Sequence, residues 1–334
     1  MNNFMFFILT ISPLAVVGES LNVTAHVYDD LNNPVTGACV RIWTEVDSNQ
    51  GFKRSPKYNY YESLTSADGM ASLTFPCYSA SFRSCAFSDQ HYKEDGGRLY
   101  LKFRQKTFSS VDLLEHDKEI SFVLRRRKNP IRMIYSQVYS SCKPFEKEGE
   151  YGFDLMKGDW LPPNGIGETA DFYVYSHGVS TNNLYPFAEG GILFRDPGNG
   201  AYICKKVKTT SGFDTEYEAN SNATYQTVIP SRSFQVKGYG LPLYYSKVLQ
   251  DDEYMVMRTR TKLDGNGNIR TAHYSVLLGS VDAIGKFGHR GYRFNPTPND
   301  PNLEIDIRAS TDLERKYRNK QRSVPRINNT MHTK

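Results

Sequence analysis

Hydrophobic positions along this chain recur mostly at every second residue. In LNVTAHVYD, Leu21, Val23, Ala25 and Val27 share one face, the period of a half-buried strand. The turn formers DLNNPVTG follow, where Asn33-Pro34 fixes a reversal and Gly37 permits positive φ. ACVRIWTEV then sets Val40, Ile42, Thr44 and Val46 against Cys39, Arg41, Trp43 and Glu45. Ser66-Ala67-Asp68-Gly69 predicts a turn joining a second strand pair, leading into MASLTFPC with Ala71, Leu73, Phe75 and Cys77 on one face. RLYLKF and KEISFVLRRR add two later strands. This many short strands in so short a stretch predict a β-sandwich.

Arg125-Arg126-Arg127-Lys128-Asn129-Pro130 breaks the pattern. Pro130 cannot continue a central strand and the run of cations suits a linker, which places a domain boundary here. Beyond it ADFYVYSHG, GGILFRD, AYICKKVK, EYMVMRTRTKL and TAHYSVLLGSV again read as strands, parted by Gly-, Pro- and Asn-rich turns. No helix longer than two turns is predicted before Asp312. TDLERKYRNKQRS reads as a short helical stub, capped by Thr311 or Asp312, that lacks an apolar stripe and belongs to a frayed tail. The fold class is all-β: an N-terminal sandwich, a second β-rich domain and a basic disordered tail. The expected boundaries are 1–18, 19–127, 128–307 and 308–334.

Charge changes the picture only at the end. The net charge of +5 is concentrated after residue 307, where Arg308, Arg315, Lys316, Arg318, Lys320, Arg322, Arg326 and Lys334 face only Asp312 and Glu314. The body is close to neutral, so the folded domains are not expected to bind nucleic acid. The tail is available to anionic polymers, although a charge run is usually just solvated.

At the other end, Phe4 to Val17 form an apolar run too short to span a bilayer comfortably and suited to a signal-peptide core. Val16 and Gly18 fit the cleavage positions, with a mature start at Glu19. A buried N-terminal strand or an uncleaved anchor is the alternative. Export makes the five cysteines relevant. Cys77 with Cys85, and Cys142 with Cys204, are candidate disulfides, with buried thiols as the competing reading. No spacing among them matches a zinc pattern.

Val27-Tyr28-Asp29, Asn33-Pro34-Val35-Thr36-Gly37-Ala38-Cys39-Val40 and Ser66-Ala67-Asp68-Gly69-Met70-Ala71 resemble the bacterial Ig-like and carboxypeptidase-regulatory-like, or prealbumin-like, domains. The resemblance covers roughly residues 19–127, rests mainly on turn chemistry, and implies a sandwich with no catalytic residues to carry over. The second half resembles a family of uncharacterised exported bacterial proteins in which this domain follows an Ig-like module. That likeness is carried by Asn129-Pro130-Ile131, Gly152-Phe153-Asp154-Leu155, the run from Gly158 to Gly167 (GDWLPPNGIG) and Ala170-Asp171-Phe172. It continues in Arg258-Thr259-Arg260-Thr261 with Leu263-Asp264, and in the run from Tyr292 to Asp300 (YRFNPTPND). It implies an architecture and no activity.

Candidate chemistry is sparse. Asp264, Asn266 and Asn268 alternate like oxygen ligands of a calcium loop, but the sixth and twelfth positions hold Ile269 and Ser275 in place of Gly and a bidentate acid. A hairpin turn is expected instead. His26, His91, His116, His177, His273, His289 and His332 form no metal motif and read as isolated imidazoles. His177-Gly178-Val179-Ser180 lacks a nucleophile elbow, and Gly165-Ile166-Gly167 has no following helix to make a phosphate cradle. Asp251-Asp252-Glu253 sit in an expected loop. No metal and no cofactor is predicted.

Aromatic clusters carry the binding expectation: Tyr239, Tyr244 and Tyr245, then His289, Arg290 and Tyr292, with Trp160 in GDWLPP as a surface anchor or an interdomain plug. Exposed rings beside Arg and Asn stack on sugars or anchor proteins; core packing is the competing reading. The expected function is a secreted, periplasmic or surface-bound bacterial protein that binds or supports without catalysis, its partner an envelope glycan or a protein. The alternative is a secreted hydrolase of polysaccharide or peptide. Convergent acids in the second domain would favour the hydrolase, and a flat aromatic surface would favour binding.

Overall fold

The structure, a computed structural model, describes residues 20–46, 57–76, 81–92, 94–100, 103–105, 111–113, 117–136, 148–180, 187–207, 213–238, 241–279 and 291–313. The leader and residues 314–334 lie outside them; residues 308–313, expected to begin a disordered tail and a helical stub, instead place Thr311–Asp312 as a strand beside Ile134–Ser136 and bury Leu313, because that side chain completes the core. Every named element among the described residues is a strand, and the chain is all-β. It gathers into two compact units, Met1–Arg127 with Lys208–Asp214, and Lys128–Val207 with Thr215–Lys334.

In the first unit, Ser20–Asp29 runs between Met70–Pro76, antiparallel, and Asp117–Leu124, parallel. A four-stranded antiparallel sheet has the order Lys57–Leu64, Cys39–Val46, Ser81–Phe87, Glu94–Tyr100. Leu21, Val23, Ala25 and Val27 are buried in register, as the alternation requires, and meet Val40, Ile42, Phe82 and Ala86 of the second sheet in one core. Phe75 packs edge-on to Phe82 with centroids 5.7 Å apart and stacks on Tyr61 at 5.1 Å.

The Ser66–Gly69 turn differs from expectation. It forms, with Gly69 N–H donating to Ser66 O at 3.0 Å, but it does not join a strand pair. Lys57–Leu64 pairs with Cys39–Val46, whereas Met70–Pro76 pairs with Ser20–Asp29. The turn is therefore a corner that carries the chain from one sheet to the other. Gly69 is required there: φ is +77° and an added Cβ would sit 2.5 Å from Val27 O.

The second unit is also two-layered. Six strands in the order Gly200–Lys205, Glu253–Leu263, Ile269–Leu277, Tyr292–Phe294, Ile134–Ser136, Thr311–Asp312 form one sheet. Five strands in the order Asp159–Trp160, Gly149–Asp154, Phe172–Ser180, Phe187–Leu193, Val228–Pro230 form the other. Glu253–Leu263 is buried on both faces: Met255 and Met257 join the core that contains Phe153, Phe172, Ile192 and Phe294, while Tyr254 and Val256 join a second cluster with Val276 and Leu303. A strand covered on both sides reads as a near-continuous apolar run, which is what EYMVM is.

Candidate functional site

Three stretches far apart in sequence meet in one place. Asp154 ends the strand Gly149–Asp154, Asp171 immediately precedes Phe172–Ser180, and Arg260 lies in Glu253–Leu263 of the other sheet. Arg260 spans both acids. Its Nε donates to Asp171 Oδ1 at 2.8 Å, and its Nη2 donates to Asp171 Oδ2 at 2.9 Å and to Asp154 Oδ1 at 2.8 Å. Both aspartates are buried. The guanidinium lies 5.4 Å from the Phe294 ring centroid, an apolar and cation-stabilising floor.

Arg260 reaches this position through a bulge. On a regular strand it would share the face of Tyr254, Val256 and Arg258, and Arg258 does lie on that side, 4.0 Å from the Tyr225 ring centroid. The pairing register shifts between Thr259 and Lys262, and Arg260 takes φ of +50°. The extra residue re-aims the side chain to the opposite face, among Phe294, Met156 and the aspartates.

Every oxygen of the two carboxylates is engaged. Asp154 Oδ1 also accepts the N–H groups of Met156 at 2.9 Å and Lys157 at 3.0 Å, and Oδ2 accepts those of Glu168 at 3.0 Å and Thr169 at 3.1 Å. Asp171 Oδ2 accepts Leu155 N–H at 2.7 Å. Burial pushes the Asp154 carboxyl up, but the N–H groups of Glu168, Lys157 and Thr169, together with Arg260, outweigh it and hold the group below the usual carboxylate range. An acid held ionised, with its lone pairs filled by backbone donors, is a structural anchor and a poor proton donor.

What the anchor holds is the loop from Leu155 to Ala170. Within it Asp159 Oδ1 accepts Trp160 N–H at 2.8 Å and Oδ2 accepts Ile166 N–H at 3.2 Å, while Gly167 N–H donates to Trp160 O at 2.8 Å. Gly165 is pressed against Trp160 O and the Asp159 carboxylate, leaving no room for a Cβ. The loop turns Trp160 inward and Pro162, Pro163, Asn164 and Ile166 outward, Ile166 being 62% exposed.

The sequence-predicted binding aromatics therefore separate. Trp160 and Tyr292 are core residues, 2% and 1% exposed, a correction to their reading as ligand-facing or interdomain groups. Trp160 packs edge-on to Phe153 at 4.9 Å, Tyr292 packs on the same ring at 5.9 Å, and Tyr292 OH donates to Leu155 O at 2.8 Å. The apolar body and one satisfied hydroxyl make burial favourable. Tyr244 and Tyr245 lie on Leu241–Lys247, opposite Gln235 and Phe234. Tyr239, His289 and Arg290 lie outside the described residues, as do Cys77 and Cys142. Cys85 is buried. Cys204 is a free thiol 3.7 Å from Glu216 Oε1 rather than half of a bridge to Cys142, and burial, with Glu216 beside it, pushes the thiol up to about 11.

Other candidates resolve in the same manner. Asp264 Oδ1 accepts the N–H groups of Asn266 at 2.8 Å and Asn268 at 2.9 Å, and Gly267 has φ of +83°; this is a hairpin turn. Asp252 and Glu253 meet Lys205 at 2.9 and 3.2 Å, Glu253 also meets Arg232 at 3.3 Å, and Asp251 meets Lys247 at 3.3 Å. Among the described residues no group of three or more His, Cys, Asp or Glu side chains is arranged to hold a metal ion. Asp154, Asp171 and Arg260 were not among the sequence candidates. Their only signal was membership of the resembling motifs.

No protein-family model matches the chain, and no curated protein does. Among solved structures it is distantly similar to 3-chlorocatechol 1,2-dioxygenase from Rhodococcus opacus 1CP, at 10% identity and a TM-score of 0.24, over 34% of this chain and 64% of that one. The major pilin SpaD from Corynebacterium diphtheriae aligns at 10% identity and a TM-score of 0.23, over 80% of this chain and 62% of that one. The shaft pilin SpaA from Lactobacillus rhamnosus GG gives 13% identity and a TM-score of 0.23, over 42% of this chain and 62% of that one. The chain thus spans under two thirds of each of these proteins. Likenesses this distant carry no argument about function.

Proposed function

We propose that this chain is a non-catalytic structural or binding protein of the bacterial envelope or exterior, its second unit a rigid scaffold that displays the Leu161–Gly167 loop. The observation that supports this most is that Asp154 and Asp171 are buried with every carboxylate oxygen engaged. A hydrolase needs one carboxyl group able to give up a proton near neutral pH and a second open to water or substrate. Here the convergent acids face each other across an arginine and a set of backbone N–H groups. The same arrangement makes sense as a clamp, since it ties a sixteen-residue loop and both sheets to one guanidinium.

The test is retention of the full chain on peptidoglycan and insoluble glycans, with the supernatant assayed for released sugar and peptide. Retention without release is the expected result. Release that disappears on Asp171→Asn, in a variant that keeps its fold by circular dichroism, would replace this reading with the hydrolase.

A further inference from the structure

The first unit contains a polar cleft of ≈ 480 Å³. Two turns build its walls. In one, Asp29 Oδ1 accepts the N–H groups of Leu31 at 2.9 Å and Asn33 at 2.8 Å, and Asn33 Nδ2 lies 3.1 Å from Oδ2. This turn places Pro34, Thr36 and Gly37 along the rim. In the other, His91 N–H donates to Ser88 O at 3.3 Å, and Ser88 Oγ lies 2.7 Å from His91 Nδ1. Arg127 N–H donates to Gln90 O at 2.8 Å, which sets Arg126 at the edge of the cleft with Nη2 3.7 Å from Asp29 Oδ2.

His91 is the informative residue. It is 93% buried in the wall, and its Nε2, itself shielded from solvent, has no hydrogen-bond partner among the described residues. Nearly all buried polar atoms in folded proteins are paired, so an unpaired ring nitrogen beside the cleft costs the wall free energy, and a small shift of the ring toward the opening would let a bound hydroxyl satisfy it. Burial, and then Arg126, push the imidazole down, against the opposing carboxylates of Asp29 and Asp30. It is therefore neutral at neutral pH and acts as a hydrogen-bonding group rather than a charge.

The lining narrows the chemistry. Asp29 and Arg126 offset each other, and Asp89 adds one exposed carboxylate, so the cleft is not a site for phosphate or a polyanion. Its walls carry hydroxyl, amide, imidazole and guanidinium groups, which an apolar ligand would leave unsatisfied. The volume falls within the range that encloses small ligands. Pro34 offers a C–H surface of the kind that faces a pyranose ring, and Thr36, Ser88, Asp89 and Gln90 offer the partners that vicinal hydroxyls require.

We propose that this cleft binds a neutral saccharide of one or two rings, with Thr36, Asp89 and Gln90 at its mouth and His91 and Arg126 completing the hydrogen bonds. The assignment deepens the binding reading of the chain and depends on it only in taking the sugar to leave unchanged.

Calorimetric titration of the full chain with cellobiose, maltose and N,N′-diacetylchitobiose, with chromatography of each mixture for monosaccharide, tests it. The expected result is saturable binding of at least one disaccharide at millimolar concentration, weakened about tenfold or more by Thr36→Ala and by Gln90→Ala at an unchanged melting temperature. Both side chains sit at exposed positions, so these variants report on the site even where His91→Ala fails to fold. Absence of saturable binding by all three sugars overturns the assignment. So does binding that neither substitution weakens, or displacement of the sugar by inorganic phosphate. Monosaccharide release that both variants reduce would uphold the cleft as a saccharide site while removing the non-catalytic reading.

Discussion

Replacing Arg260 by methionine removes the one cation shared by two buried aspartates while keeping most of the side chain's apolar stem. Three N–H···O contacts are lost, while Asp171 retains the Leu155 N–H donor. Breaking a buried ion pair from one side costs about 3–5 kcal/mol, because a carboxylate is left without its counter-charge. For a unit of this size, each kcal/mol lowers the melting temperature by about 2–4 °C, so the transition of the second unit should fall by roughly 6–20 °C. Arg260→Lys keeps the charge but not the fork that reaches both acids, and should lose roughly 1.5–3 kcal/mol. The exposed neighbour Lys262 supplies the control: Lys262→Met should stay within about 0.5 kcal/mol.

The effect has a pH signature. The Asp154 carboxyl lies below its unfolded value, so its contribution is present above about pH 4 and is lost as pH falls through the folded value. The gap between wild type and Arg260→Met should therefore be widest near neutrality and narrow on acidification. Urea melts across pH, followed by Trp160 fluorescence, measure both quantities. An Arg260→Met variant within about 1 kcal/mol of wild type at pH 7 would refute the clamp. A gap that does not change with pH would refute its electrostatic basis.

Gly69→Ala forces a side chain onto Val27 O at a positive-φ corner and should cost the first unit about 1–3 kcal/mol by chemical denaturation. Trp160→Ala empties a buried site against Phe153 and should cost about 3–5 kcal/mol; a near-neutral result would return Trp160 to the surface. Millimolar calcium should leave the melting temperature unchanged, since the Asp264 oxygens are engaged by Asn266 and Asn268. Cys204, its thiol pushed up to about 11, should alkylate at pH 8 roughly 100-fold more slowly than a free cysteine, as read by mass spectrometry of its peptide.

Local pattern carried much of the architecture. The alternation of Leu21, Val23, Ala25 and Val27 named the buried face correctly, and Asp264 to Asn268 was legible as a turn because Asp and Gly at those positions satisfy the backbone by themselves. The sheet change at Ser66–Gly69 was not legible, since the same turn chemistry serves a hairpin and a corner. Trp160 and Tyr292 were misplaced because they stand in turn-rich text with no periodicity to assign a face. The clamp was hidden for two reasons. Its members are separated by as many as 106 positions, and the bulge at Arg260 inverts the face that period-two counting assigns. His91 looked like any isolated imidazole, because only the folded first unit brings Asp29, Ser88 and Arg126 around it.

The most direct test of the central claim is a carbon-13 NMR titration of the aspartate carboxyl groups in the folded full chain, with Asp154→Asn to assign the resonance. The clamp predicts that Asp154 stays ionised as pH falls past about 4 and protonates only with loss of structure. A native-state Asp154 midpoint above that of an ordinary carboxylate, in the range of a general acid, would contradict the account and return the convergent acids of the second unit to catalysis.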